Sequence, residues 1–175
     1  MNILIIGANG FTGRRILNDL VAREIYNITA CSLRNDIQSG DGYQFIRADI
    51  RNASEVRALF KEVCPDVVIN TSALSVPVFC ETHHNEARAT NITAVEHLAR
   101  ACEQYGSRFI HLSTDFVFDG RTDRLYIEED EPNPVNYYGI TKLEGEERVA
   151  ECCGNYAIVR VVVVYGKALP GQHGN

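Results

Sequence analysis

Apolar residues fall into two rhythms along this chain. Ile3 to Ile6, Val67 to Ile69 and most of Ala157 to Val164 are short runs with little polar alternation, as in strands buried on both faces of a parallel sheet. Similar runs at Ile28 to Leu33, Phe45 to Ile50 and Phe109 to Leu112 bring the expected strands to six, the fourth spanning Asp66 to Asn70. Between them the spacing changes to threes and fours. Ile16, Leu17, Leu20 and Val21 define one helical stripe, with Arg14, Arg15, Asn18 and Asp19 on the opposite face. Val56, Leu59, Phe60 and Val63 define a second, opened by Asn52 with Glu55 in a capping-box spacing and closed by Pro65. A long helix is expected from Asn85 to Tyr105, ending at Gly106, and another from near Tyr137 to Gly154. The segment from Phe116 to Asn136, rich in acids and turn formers, reads as loop. Strands alternating with helices specify an α/β doubly wound parallel sheet, with ligands outside the carboxyl ends of the strands.

The 175 residues suffice for one domain with a sizeable core. Residues 1–166 are expected to form it, leaving 167–175 as a Gly/Pro-rich tail. A net charge of -6 argues against nucleic acid or an anionic membrane as the main partner. No apolar run approaches membrane-spanning length, and the apolar N-terminus lacks a basic leader, so a cytoplasmic protein is expected. Cys31, Cys64, Cys80, Cys102, Cys152 and Cys153 form no C-x-x-C pair and read as reduced, mostly buried small hydrophobes. His83, His84 and Glu86 have no further ligand at a matching spacing, so no metal site is expected.

The first strand stops at Gly7, with Gly10 and Gly13 following before the first helix. Strand, glycine turn, helix aims unpaired N–H groups and a positive helix end at a phosphate, as in dinucleotide-binding Rossmann folds. A βα turn that binds nothing could carry the same glycines. At the end of the second strand, an acid would accept adenosine ribose hydroxyls, and an arginine would accommodate a 2′-phosphate. Ser32 and Arg34 stand there, favouring NADP(H); Asp36 is close enough to leave NAD(H) open.

Tyr138 and Lys142 are one helical turn apart on the same face. An ammonium beside a phenol favours the phenolate, and lowering a tyrosine pKa from about 10 to near neutrality takes about 4 kcal/mol. A cation and an aromatic sharing a helix surface is the bland alternative. Thr114, with Ser113 as the lesser candidate, could hold a substrate oxygen beside the phenol.

The Gly7-x-x-Gly10-x-x-Gly13 turn, Asp49-Ile50, Asn70 to Ala73, Ser113 to Gly120, Tyr138-x-x-x-Lys142 and Gly145-Glu146 together resemble the extended short-chain dehydrogenase/reductases. The Ser-Thr-Asp-Phe-Val-Phe-Asp-Gly string is most similar to the dTDP-4-dehydrorhamnose reductases. That resemblance implies a pyrophosphate on Gly7, Asn9, Gly10, Phe11, Thr12 and Gly13, and adenine on Asp49 and Ile50. It places the cofactor's central portion on Thr71, Ser72 and Ala73, with Arg34 near its ribose. Tyr138 would donate a proton to the 4-keto oxygen of a nucleotide sugar, Lys142 would bind the nicotinamide ribose, Thr114 would orient the carbonyl, and Asn91 would support the site. Related dehydratases carry a glutamate where this chain has Phe116, so reduction is expected over elimination. Members of this group usually run longer, so the chain is expected to bind cofactor but to turn over substrate poorly alone, and to self-associate through an uncovered edge and apolar face. A sugar-nucleotide epimerase, and a non-catalytic regulatory subunit similar to the methionine adenosyltransferase β subunit, are the rival readings.

Overall fold

A computed structural model describes residues 1–37 and 40–167, so the expected tail lies almost wholly outside the described residues. Six strands, β1 (Asn2–Ile6), β2 (Asn27–Ser32), β3 (Gln44–Arg47), β4 (Val67–Asn70), β5 (Arg108–Thr114) and β6 (Tyr156–Val161), form one sheet. Their order is β3-β2-β1-β4-β5-β6 and every pairing is parallel, the arrangement of a Rossmann fold. The order reverses between β1 and β4, opening a crevice above their carboxyl ends.

The unbroken apolar run of β1 explains its central place. Leu4 and Ile6 enter a core with Val56, Phe60, Leu98 and Phe109; Ile3 and Ile5 enter another with Leu17 and Ile28. Alternate side chains thus serve opposite faces. Helix α1 (Phe11–Val21) packs on the second face, while α2 (Ala53–Val63), α5 (Ala94–Tyr105) and α6 (Tyr137–Cys152) belong to the first.

Several elements differ from their sequence reading. A short helix, α3 (Pro77–Cys80), appears after β4, started by Pro77 in its first turn. The expected helix over 85–105 is divided into α4 (His84–Arg88), a π-helical turn (Ala89–Thr93) and α5. The Asn52–Glu55 pair is not reciprocal. Asn52 Oδ1 accepts from the Ser54 N–H and its Nδ2 donates to Glu55 Oε1 at 3.0 Å, while Glu55 Oε2 accepts from the Asp49 N–H at 2.8 Å instead of from the Asn52 backbone N–H. The expected third strand stops at Arg47, and the sixth stops at Val161. No helix among the described residues is long and apolar enough to cross a membrane, and none of their His, Cys, Asp and Glu side chains cluster as a metal site.

Candidate active site

The glycine turn and the end of β4 form a cradle. Gly7 has φ +80°, which side-chain-bearing residues avoid, and a Cβ there would lie 2.7 Å from the Ser72 nitrogen. A Cβ on Gly13 would lie 2.3 Å from the Gly7 carbonyl oxygen and 2.6 Å from Thr71 Oγ1. Thr71 closes the seam by donating to the Ile6 carbonyl at 2.9 Å. Helix α1 starts at Phe11 with Gly10 as its cap residue, and no side chain caps its first amides. Asn9, Phe11 and Thr12 therefore border a backbone-lined concavity at a positive helix end, and these residues fit a pyrophosphate.

Arg14 departs from the sequence reading. Expected on the solvent face of α1, it is fully buried. Its guanidinium reaches across the end of β2, bonding Asp36 at 2.7 Å, Asn9 Oδ1 at 3.0 Å and Tyr43 Oη at 3.1 Å. Tyr43 also donates to Asp36 at 2.6 Å. Helical periodicity reports only which way a Cβ points, so it misses a side chain long enough to fold back over the glycine turn. Asn9 bonds the Asn35 carbonyl at 2.9 Å, fixing the segment that carries the exposed Arg34. Beyond β3, Ile50 is buried and the Asp49 carboxyl is held below its ordinary pKa, chiefly by the Arg51 guanidinium.

Thr114 ends β5, and Tyr138 stands in the first turn of α6, whose cap residue Asn136 accepts from the Gly139 N–H at 2.8 Å. The phenol is buried against Cys80 and Ala87, and Phe116 meets it edge-on at 5.7 Å between centroids. Burial pushes the Tyr138 pKa up, the Thr114 hydroxyl offsets part of the rise, and Cys80 and Asp115 add to it. The net shift of the phenol is opposite to the depression expected from Lys142. The reason is its reach: Lys142 Nζ turns into the sheet, donating to the Leu112 carbonyl at 2.8 Å and lying 3.2 Å from His111 Nε2. Burial lowers the Lys142 pKa to about 8, with Glu146 opposing.

Asn91, buried in the π-helical turn, is a clasp. Its Oδ1 accepts from the Leu74 N–H at 2.9 Å, and its Nδ2 donates to the Leu74 carbonyl and to Thr141 Oγ1 at 3.1 and 3.0 Å. It therefore ties the segment after Ala73 to the helix that carries Tyr138 and Lys142. His111 escaped the sequence reading as a site residue, and Asn70 entered it only as the start of the Asn70 to Ala73 motif. His111 and Asn70 are fully buried beneath the site, with His111 Nδ1 3.0 Å from Asn70 Nδ2. A histidine inside an apolar strand run was the available signal. Ser113 Oγ is buried with no hydrogen-bond partner among the described residues.

Residues 1–174 match the RmlD substrate binding domain family. The chain belongs to that family. It is 33% identical over 171 residues to dTDP-4-dehydrorhamnose reductase of Shigella flexneri, covering 94% of this chain and 52% of the relative. Another relative is methionine adenosyltransferase 2 subunit beta of Bos taurus, 33% identical over 165 residues, covering 94% of this chain and 47% of the relative. The chain thus spans about half the length of these relatives. Among solved structures, it resembles dTDP-4-dehydrorhamnose reductase of Bacillus anthracis in complex with NADP, with a TM-score of 0.79, 28% identity, and coverage of 95% of this chain and 54% of that one. It also resembles MoeE5 in complex with UDP-glucuronic acid and NAD, with a TM-score of 0.83, 28% identity, and coverage of 99% and 57%. The two solved structures share the fold described above.

Proposed function

We propose that this chain is the cofactor-binding and catalytic part of an NADP(H)-preferring reductase of a nucleotide-linked 4-keto sugar, dTDP-4-dehydrorhamnose or a close analogue. The observation that carries the reading is the buried Tyr138 phenol beside Thr114, at the same carboxyl end of the sheet as the glycine cradle and one turn from Lys142. The nicotinamide, when bound, supplies the hydride. Tyr138 Oη gives its proton to the carbonyl oxygen, and Thr114 Oγ1, which now donates to Asp115 at 3.1 Å, turns to hold that oxygen. The raised phenol pKa keeps the proton in place until it is needed. Phe116 offers no base for elimination, which supports simple reduction. A cavity of about 630 Å³ beside Asp115 and Phe116, walled by Phe118, Leu125 and Tyr126, has room for the substrate.

The preference for NADP(H) rests on Arg14. Asp36 is the acid nearest the end of β2, and Arg14 and Tyr43 already hold its carboxylate, leaving the exposed Arg34 to face the ribose. NADPH should raise the melting temperature more than NADH at equal concentration; either cofactor at 100 times its Kd stabilises by about 2.7 kcal/mol. Equal shifts would remove the preference.

Tyr138→Phe in the whole protein should cut keto-sugar-dependent NADPH oxidation by roughly 10²–10⁴-fold while sparing the NADPH-induced thermal shift. Unchanged turnover would refute the role. The 33% identity to a methionine adenosyltransferase β subunit favours a second reading, a cofactor-binding regulatory subunit. Co-purification with a larger enzyme, with no keto-sugar reduction, would establish it.

A further inference from the structure

Beneath the candidate active site, a buried chain of hydrogen bonds runs from Ser72 through Asn70 and His111 to Lys142. Its polarity can be worked out from one end. Asn70 Oδ1 is the atom facing Ser72, because both the Ser72 N–H at 3.0 Å and the Ser72 hydroxyl at 2.6 Å donate to it. The amide's Nδ2, a donor only, therefore faces His111 Nδ1 at 3.0 Å, which must accept. A neutral imidazole accepting at Nδ1 carries its proton on Nε2. That Nε2–H points at Lys142 Nζ, 3.2 Å away. A neutral amine can accept it while donating to Leu112; an ammonium, with only N–H groups to offer, cannot.

We propose that His111 is a positioning residue that couples the proton of Lys142 to the hydrogen bonding of Ser72 in the cofactor cradle. The amine form of Lys142 goes with the Nε2–H tautomer and with Asn70 Oδ1 on Ser72. The ammonium form needs Nε2 as acceptor, hence Nδ1–H, hence Asn70 turned over with its oxygen toward His111 and the Ser72 N–H released. Lys142 takes one proton from solvent in this change, and the imidazole keeps one throughout. Complete burial, with the Lys142 charge adjacent, holds the His111 pKa well below its ordinary value, so the imidazolium does not enter the cycle. The surrounding charges do not substitute for His111. On α6, Glu146 faces Lys142 but is gripped by Arg160 of β6 at 2.7 and 3.1 Å, and Tyr138 is a neutral phenol. After β5, Asp115 accepts from Thr114; β4 contributes only Asn70, and the π-helical turn only Asn91. Because the Ser72 nitrogen abuts Gly7, a ligand that alters hydrogen bonding at Ser72 shifts the Lys142 equilibrium, and the reverse holds equally. The hydrogen-bond coupling stands apart from the reductase reading; only its catalytic meaning rests on that reading.

The test is nuclear magnetic resonance on the whole protein with ¹⁵N-labelled histidine and ¹³C-labelled lysine, titrated from about pH 6 to about pH 10. His111 should change from Nδ1–H to Nε2–H with the same midpoint as the Lys142 ε-carbon shift. A single tautomer throughout, or an imidazolium, would overturn the proposal. In His111→Gln, whose amide oxygen can accept from the ammonium, the Lys142 midpoint should rise by about one unit, a tenfold tighter hold on the proton. An unmoved midpoint in a folded variant would overturn it as well, and if this variant does not fold the wild-type tautomers decide. NADPH added to the same sample separates the two claims: absence of binding sinks the reductase reading and leaves the tautomer result standing.

Discussion

Arg14 shows how much one side chain can decide. With its guanidinium removed in Arg14→Met, Asp36 would lose its 2.7 Å ion pair and keep the Tyr43 hydroxyl in a pocket where its side chain is 14% exposed. Breaking such a pair costs about 3 kcal/mol, and Asp36→Asn in the same chain should restore much of it, as read by denaturant melts. The single variant should also bind NADH better relative to NADPH, because the released carboxylate can accept ribose hydroxyls. Lys142 offers a second measurement. Its folded pKa, about 8, lies below its ordinary value of 10.5, so the unfolded chain binds the extra proton between those two pH values. Stability from this group therefore rises with pH across that window, by about 3 kcal/mol in total, and is flat below it. The Cys31 thiol, pushed up to about 12 by burial, has the opposite sign. The contribution is accordingly read as wild type minus Lys142→Met, whose advantage should shrink as pH rises. The placement of Tyr138 and Lys142 on one helix and of Thr114 at a strand end was legible because spacing and strand-end position are local in the sequence. Arg14 and His111 were not, because their partners lie on other elements.

At the level of elements, the strands were the plainest part of the sequence, since burial on both faces removes polar residues from their centres. The helices were harder where packing overrode local pattern. Nothing in the periodicity of residues 85–105 announces the π-helical turn, yet that turn aims Asn91 inward and lets α6 approach closely. Gly145 permits the approach: a Cβ there would lie 2.4 Å from the Asn91 carbonyl oxygen. Gly145→Ala should therefore cost about 1–3 kcal/mol and weaken NADPH binding by displacing the helix that carries Tyr138 and Lys142. Gly154→Ala is the control, because a Cβ there would meet only the end of the flexible Glu103 side chain, at 3.6 Å, among the described residues. Equal melting temperatures for the two variants would show that α6 does not depend on this contact.

Across the whole molecule the two faces of the sheet are unequally covered. Helices α2, α5 and α6 pack on the face that receives Val68 and Phe109, whereas α1 lies over β1 and β2 on the other. Strand alternation directs Val67, Ile69, Ile110, Leu112 and Val159 to the α1 side; Val67 and Ile69 pack against the cluster that holds Leu17 of α1, and Ile110, Leu112 and Val159 lie outside it. All five are at least partly exposed, Val159 at 42%. β6 also lies at the edge of the sheet, and Val162 and Val163 beyond it are 68% and 73% exposed. An apolar sheet face beside an open edge favours association, through burial of the face and through pairing at the edge. The 175-residue chain should therefore run above its monomer mass in light scattering at micromolar concentrations. Val159→Lys, which places a charge on the face without touching the cradle or α6, should shift it toward the monomer while leaving the NADPH-induced thermal shift intact. A wild-type chain that stays monomeric under those conditions would show that the face tolerates water, and the unequal covering would then have no consequence for assembly.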